Sequence, residues 1–290
     1  MTATPARTFY SRVFSEFAEE YRSRHDQVRS AGRRRALELL AARPGELVLD
    51  LACGPGNLTA EVLAAGAGVV GADIADGMVR VAARQVPEAW FARVDMDRLG
   101  LRDGAFDAVV CGHGYQFVSD LGQALAEACR VLRPGGRLVA TVPAGVRSRR
   151  LASLVVAVAD RCLNPPPEVA GAVDRRQLAD PAALRAAALA AGFARAEVER
   201  VPTVARWGSP ERFAALAASW WDSAVRAEGL PPDRLERYRV ELTRTLDRAL
   251  GDGPVELAGV DNVLHAERGA GGTGPDDASG SPDPGGGRAP

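Results

Sequence analysis

Apolar positions recur every four residues at Phe9, Val13, Phe17 and Tyr21, with Phe14 alongside, and this spacing predicts an amino-terminal amphipathic helix. A second helix is expected over Arg33 to Ala42, ended by Pro44-Gly45. From residue 46 the pattern changes. Short apolar runs at Leu47–Leu51, Val69–Asp73, Trp90–Val94, Phe106–Cys111 and Arg137–Val142 alternate with helical patterns. Continuous runs of that length, rich in β-branched residues and separated by helices, are what parallel strands buried on both faces require. Their repetition predicts an α/β fold with an open, doubly wound sheet. Ligands on such sheets lie beyond the carboxyl ends of the strands, near the point where strand order reverses. Chemistry is therefore expected just after each run, at 50–57, 73–78, 95–97 and 111–117.

Beyond residue 145 the pattern predicts a helix, a rigid Asn164-Pro165-Pro166-Pro167 loop, and a helix from Pro181 capped by Gly192. Ala196–Val204 and Val255–Ala266 read as strands. The intervening helical insert is expected to carry Trp207, Phe213, Trp220 and Trp221. Adjacent tryptophans cannot share one helix face, so one of Trp220 and Trp221 is expected on a pocket or an interface. From Gly269 the chain is Gly, Pro, Asp and Ser without apolar periodicity, and such a tail cannot offset its ordering entropy.

Composition narrows the classes of function. The 36 basic and 37 acidic side chains leave a formal charge of −1, which gives no footprint for nucleic acid or an anionic membrane. Every one of the 36 cations is arginine, so Schiff-base lysine chemistry and a Walker-type phosphate lysine are excluded. The four cysteines form no CxxC pair and read as small buried hydrophobes of a reducing compartment. No apolar h-region is visible near the amino terminus and no apolar run approaches a membrane span, so a cytoplasmic protein is expected. Three scattered histidines without a carboxylate cluster predict no metal site.

The strongest local signal is Leu47-Val48-Leu49-Asp50-Leu51-Ala52-Cys53-Gly54-Pro55-Gly56-Asn57: a strand ending in an acid, a tight glycine turn, then a helix. Glycine lets the backbone approach a ligand closely, and the helix start offers free N–H groups to an anion. A dinucleotide fingerprint would need a third glycine where Thr59 stands. A second strand ends in acid at Asp73, which could serve a ribose in either kind of site. A third acidic landmark, Asp95-Met96, is not required by a dinucleotide site.

With these landmarks, Gly71-Ala72-Asp73-Ile74-Ala75-Asp76-Gly77-Met78, Phe106-Asp107-Ala108-Val109-Val110 and Arg130-Val131-Leu132-Arg133-Pro134-Gly135-Gly136-Arg137-Leu138, the stretch 46–142 resembles a class I S-adenosylmethionine-dependent methyltransferase. It is most similar to the branch holding the ubiquinone/menaquinone C-methyltransferases and many natural-product enzymes. A looser resemblance runs from about residue 10 to 268. It implies a seven-stranded, mostly parallel sheet with an antiparallel last strand, in one domain over 1–268. A helical lid would occupy 8–44, the cofactor core 45–145, and a substrate side with a helical cap over 209–253 the rest, before a disordered tail at 269–290.

The resemblance also implies roles. Backbone at Ala52, Cys53, Gly54 and Gly56 would wrap the methionine moiety of S-adenosylmethionine, and Asp50 would orient its ammonium group. Asp73 would accept from the ribose hydroxyls, Ile74 and Met78 would pack on adenine, and Asp95 with Met96 would meet its edge. Tyr21 is expected as a lid residue, and Cys111 and Gly112 as contacts at the end of the fourth strand. Asp107 is expected to shape a strand start, and the arginines at 33–35 are expected on a solvated face.

Methyl transfer from a sulfonium needs orientation above all, and a base only where the acceptor must lose a proton. His113, directly beyond the fourth strand, is the candidate base, with Tyr115 behind it in rank. Asn164-Pro165-Pro166-Pro167 comes too late, and lacks the terminal aromatic, to be a base-flipping nucleic-acid methyltransferase motif. The expected reaction is methyl transfer to a small apolar or aromatic metabolite of natural-product type. The alternative is a methyltransferase-fold cyclase that uses the same pocket without transferring methyl, since fold does not fix the reaction.

Overall fold

The structure, a computed structural model, describes residues 5–25, 31–146, 148–166, 173–218, 220–231, 233–251 and 253–270. The amino-terminal periodicity forms two helices, α1 (Pro5–Glu16) and α2 (Ala18–His25), where one was expected. Only Phe17 interrupts them, and i→i−4 bonding continues across it, from Phe17 N–H to Val13 carbonyl (3.0 Å) and from Tyr21 N–H to Phe17 carbonyl (2.9 Å). Helix α3 (Ala31–Leu40) follows, then strand β1 (Leu47–Leu51), with the bounds expected from its apolar run.

The core continues through α4 (Asn57–Ala64), β2 (Gly68–Asp73), α5 (Asp76–Gln85), β3 (Trp90–Arg93), β4 (Phe106–Gly112), α6 (Leu121–Val131) and β5 (Leu132–Val146). Helices α7 (Arg149–Cys162), α8 (Arg175–Ala179) and α9 (Pro181–Ala190) lead to β6 (Arg195–Trp207). The insert holds α10 (Pro210–Ala218), α11 (Trp221–Arg226) and α12 (Arg234–Leu250), and β7 (Val255–Glu267) closes the sheet. Strand order is β3-β2-β1-β4-β5-β7-β6, parallel except for β7, which runs antiparallel between β5 and β6. This is the expected seven-stranded doubly wound sheet.

Two strands exceed their apolar runs. The ladder with β7 carries β5 to Val146 and β6 to Trp207, because long antiparallel partners satisfy backbone groups that sequence hydrophobicity alone leaves unassigned. Trp207 therefore ends a strand and does not belong to the helical insert.

Alternation along the strands separates two core layers. Leu49, Val109, Leu138 and Leu264 face one side, toward α6 and α9; Val48, Val110, Val139 and Val263 face the other, toward α3 and α4. A third cluster, with Phe213, Tyr238, Leu242 and Leu246, joins α10 and α12 to α7 at the carboxyl edge. Asp107 performs the structural task expected of it: its carboxylate accepts from Leu47 N–H (2.6 Å) and pairs with Arg133 (2.6 Å), tying β4 to β1 and β5. Helix α9 starts at Pro181 with Asp180 as its N-cap (3.0 Å to Ala182 N–H) and ends before Gly192 at φ +101°.

The amino-terminal helices dock on α5 through Phe14, Ala18 and Tyr21 against Ala75, Met78 and Val81. The approach is close enough that a Cβ on Gly77 would lie 2.1 Å from the Ser15 carbonyl oxygen. Gly77→Ala should thus lower stability by about 1–3 kcal/mol through that clash, outweighing the roughly 1 kcal/mol that alanine gains in a helix. Thermal melting and limited proteolysis within 5–25 check this; a raised melting temperature would show that the close docking carries no energy.

Candidate functional site

The carboxyl ends of β1, β2 and β4 converge on a cavity of about 640 Å³. The turn after β1 reaches it through left-handed backbone at Ala52 (φ +52°) and Gly54 (φ +55°), and Gly56 (φ +91°) completes the turn. Asp73, at the end of β2, binds this turn to the next: one carboxylate oxygen accepts from Gly54 N–H (2.9 Å), the other from Ala75 N–H (2.8 Å). Burial pushes the Asp73 carboxyl up from its ordinary value, against the opposing pull of those backbone donors.

Asp50 is wholly buried at the end of β1. One oxygen accepts from the Thr59 hydroxyl (2.6 Å), whereas Oδ1 has no partner although its side chain lines the cavity. Desolvation pushes its carboxyl up to about 7, countered by the Thr59 hydrogen bond and the Arg33 charge. Arg33 also lines the cavity, paired with Glu61 (3.2 Å). This corrects its placement on a solvated face: it is the first-turn residue of α3 that the helix turns inward, while Arg35 stays outside with Glu38 and Glu199. Helix α4 begins beside them at Asn57, with no side chain capping its start.

Ile74, Met78, Asp95 and Met96 lie on the cavity wall, as do Ala52, Cys53, Gly54 and Gly112. Asp95 accepts from Asp97 N–H (3.0 Å) and forms an ion pair with Arg7 of α1. Tyr21 closes the same end from above, and both burial and the Asp73 charge raise its phenol pKa. Gly56 does not reach the cavity; it shapes the turn, where a Cβ would crowd Ala82 and Val86 at 3.3 Å.

The segment after β4 departs from expectation in one respect. Continued alternation from Val109 and Cys111 puts residues 113 and 115 on the same core side. His113 instead takes φ +56°, and its ring faces the cavity. Tyr115 follows the alternation into the core, 1% exposed and off the cavity wall, so it is not available as a catalytic group. Cys111 is likewise buried below the loop: a Cβ on Gly114 would meet its sulfur at 2.6 Å.

The far end of the cavity is apolar, built from Pro143, Ala205, Trp207, Leu216, Trp220 and Leu257, with Asp222 the polar exception. Phe213 supports it from behind, edge-on to Trp207 (4.9 Å) and Trp220 (6.0 Å). Trp220 lies on the cavity wall, while the side chain of Trp221 lies outside the described ones. Trp207, Leu257 and Arg33 escaped sequence reading because strand ends and a helix start, not a motif, bring them here. Asn164 bonds to the Glu228 carbonyl (3.0 Å), away from the cavity. Among the described residues no helix is long and apolar enough to cross a membrane, and no group of His, Cys, Asp and Glu could hold a metal ion.

These groups fit S-adenosylmethionine by their chemistry. The orphaned Asp50 oxygen calls for a donor such as an ammonium, and the Arg33 guanidinium with the uncapped start of α4 complements a carboxylate. Asp73 supplies acceptors for a diol, beside the apolar side chains of Ile74 and Met78.

Comparison with known proteins agrees with this chemistry. A family model described as a methyltransferase domain matches residues 49–140. The demethylmenaquinone methyltransferase of Beutenbergia cavernae is 43% identical over 132 residues, covering 44% of this chain and 55% of that protein. The chain thus spans about half the length of such relatives. Nocamycin O-methyltransferase of Saccharothrix syringae is 31% identical over 242 residues, 77% of this chain and 85% of that protein. Among solved structures, YcgJ from Bacillus subtilis has a TM-score of 0.55 at 17% identity, covering 83% of this chain and 99% of that one.

Asp50 makes the site testable without a ligand. Its carboxyl, ordinary in the unfolded chain, is raised to about 7 in the fold, so the native state binds the extra proton. That contribution is present at acid pH and is lost as pH rises toward and through 7. Asp50→Asn removes it, so the variant's melting temperature relative to wild type should climb between pH 5 and pH 8. A difference that stays flat with pH would show that Asp50 ionises normally.

Proposed function

Because the chain belongs to the class I S-adenosylmethionine-dependent methyltransferases, we propose that it transfers the methyl group to a small apolar or aromatic acceptor of natural-product type. The observation that carries this reading is the continuity of one cavity from a polar end suited to the cofactor to an apolar end beneath the aromatic cap. A single space of this size accommodates two molecules meeting at the end of β4, as a bimolecular transfer requires.

Asp50 would hold the ammonium, Arg33 and the start of α4 the carboxylate, and Asp73 the ribose hydroxyls. Ile74 and Met78 would flank the adenine, and Asp95 would accept from its amino group once Arg7 releases it. The cofactor supplies a methyl group on a positively charged sulfur, a good leaving group. The chain's part is then largely positional, because well-oriented reactants reach effective molarities of about 10⁵–10⁸ M. The lid formed by α1 and α2 would exclude water through Tyr10 and Phe14, whose rings meet Phe117, in the segment after β4, edge-on at 5.0 and 5.1 Å.

The acceptor end supports an apolar substrate because Trp207, Trp220, Leu216 and Leu257 offer surface and few hydrogen bonds. Relatives named as methyltransferases, one of them aligned along most of its length, favour transfer over cyclisation in the same fold.

Calorimetry with S-adenosylmethionine should give saturable binding, and S-adenosylhomocysteine should accumulate only when an acceptor is present. Asp73→Asn, with its fold verified by circular dichroism, should bind the cofactor roughly ten- to a hundred-fold more weakly, the equivalent of about 1–3 kcal/mol for an unmet acceptor. Product formation that persists with S-adenosylhomocysteine in place of the methyl donor would overturn methyl transfer in favour of cyclisation.

A further inference from the structure

We propose that His113 and Asp261 form a base and its positioning residue, and that the acceptor atom is therefore a protic heteroatom, an O–H or N–H group. The inference rests on the methyl-transfer reading above and extends it to the class of atom modified. Asp261 lies on β7, opposite Pro143 in the ladder with β5, and its side chain is 8% exposed. Its Oδ1 stands 3.3 Å from Nε2 of His113.

Three features show that this juxtaposition is built in. The first is backbone strain. His113 sits at φ +56°, a left-handed conformation that disfavours a residue with a Cβ by about 1–2 kcal/mol. Its N–H is held there by the Thr141 carbonyl (3.0 Å) and hydroxyl (3.2 Å). The second is orientation. Nε2 is buried beside Asp261 Oδ1 at ion-pair distance and makes no hydrogen bond to any other group, while the side chain as a whole remains 41% exposed and lines the cavity.

The third is the space left for the carboxylate. Gly32 is the second residue of α3, in its first turn. A Cβ at this position would come within 2.3 Å of Asp261 Oδ2 and 3.0 Å of its Cβ, with nothing else among its nearest neighbours. The helix gives up a better helix former at the one place where the Asp261 side chain presses against it.

A carboxylate beside Nε2 holds the ring proton on that nitrogen and leaves Nδ1 as the basic lone pair. In the transfer, the O–H or N–H proton passes to Nδ1 as the acceptor's lone pair forms a bond to the methyl carbon. The carbon–sulfur bond breaks, its electron pair stays on sulfur as a neutral thioether, and the imidazolium later returns its proton to solvent. His113 is the catalytic residue in this step. Asp261, which is absent from the cavity wall, acts only through it.

The rival account gives Asp261 a purely structural task, as an anion near the start of α3, where the helix dipole favours negative charge. Long-range proton–nitrogen NMR on the full chain saturated with S-adenosylmethionine separates the two. His113→Gln identifies the His113 signal among the three histidines. The neutral ring is expected to carry its proton on Nε2 in the wild type, and to lose that preference in both Asp261→Asn and Gly32→Ala. An unchanged tautomer in Asp261→Asn overturns the pairing. An unchanged tautomer in Gly32→Ala, with a raised melting temperature, overturns the claim that the helix makes room for it.

Turnover with a series of phenols of graded acidity supplies the kinetic arm. Asp261→Asn should lower kcat about ten-fold or more for the least acidic phenol and progressively less for the more acidic ones, with KM for S-adenosylmethionine unchanged. A loss independent of acidity, or product methylated on carbon, overturns the proposal. Failure of S-adenosylmethionine to bind at all would sink the methyl-transfer reading itself, whereas binding with an unaltered His113 tautomer sinks the pair alone.

Discussion

The site exists because the strand order reverses between β1 and β4. After β3 the chain crosses back over the sheet to place β4 on the other side of β1, so the connections from these neighbouring carboxyl ends diverge to opposite faces. A cleft opens where they part, and the cavity's cofactor end extends from it along the carboxyl ends of β2 and β3 to Asp73 and Asp95. Asp73 anchors the cofactor side of that cleft by joining the turns after β1 and β2, since one buried carboxylate with two acceptor oxygens can satisfy an N–H from each.

The sheet's other departure from simple winding brings in the acceptor side. Because β7 runs antiparallel between β5 and β6, its early residues lie at the carboxyl edge. Leu257 reaches the apolar end and Asp261 arrives behind His113, whereas a parallel strand would deliver its last residues there. The long ladder also carries β6 up to Trp207, which Phe213 meets edge-on, with Trp220 edge-on to Phe213 in turn. One reversed strand thus supplies part of the apolar wall, its aromatic support and the carboxylate that meets the histidine.

Much of this was legible in the chain. The apolar runs marked β1 with its bounds intact, and the acids ending β1 and β2 stand on the cavity wall where local spacing put them. Local pattern carries such information because each turn places its own neighbours. It carries less about contacts between distant segments. Asp261 and His113 are separated by the whole insert, and their meeting depends on the register of β7, which no local period encodes. Arg33 was hidden for a related reason: in a run of three arginines only the helix phase decides which one points inward. Tyr115 and His113 show a third limit. Strict alternation would assign both the same face, and a single left-handed residue separates them.

The same residues reveal how stability is distributed in the molecule. Away from the cleft, polar side chains tie elements together, as when Asn262 donates to the Leu178 carbonyl (2.7 Å) and Asp107 binds two partners. At the cleft the local rules are broken together: left-handed backbone at Ala52 and His113, an unpartnered Asp50 oxygen in a fully buried carboxyl, and a glycine within a helix. Strained backbone and an unmet buried acceptor are each unfavourable for the fold by about 1 kcal/mol or more. A sequence selected for stability alone has no reason to gather them at one strand edge. Their concentration there is accounted for if a ligand and a proton transfer draw on what the free protein leaves unsatisfied.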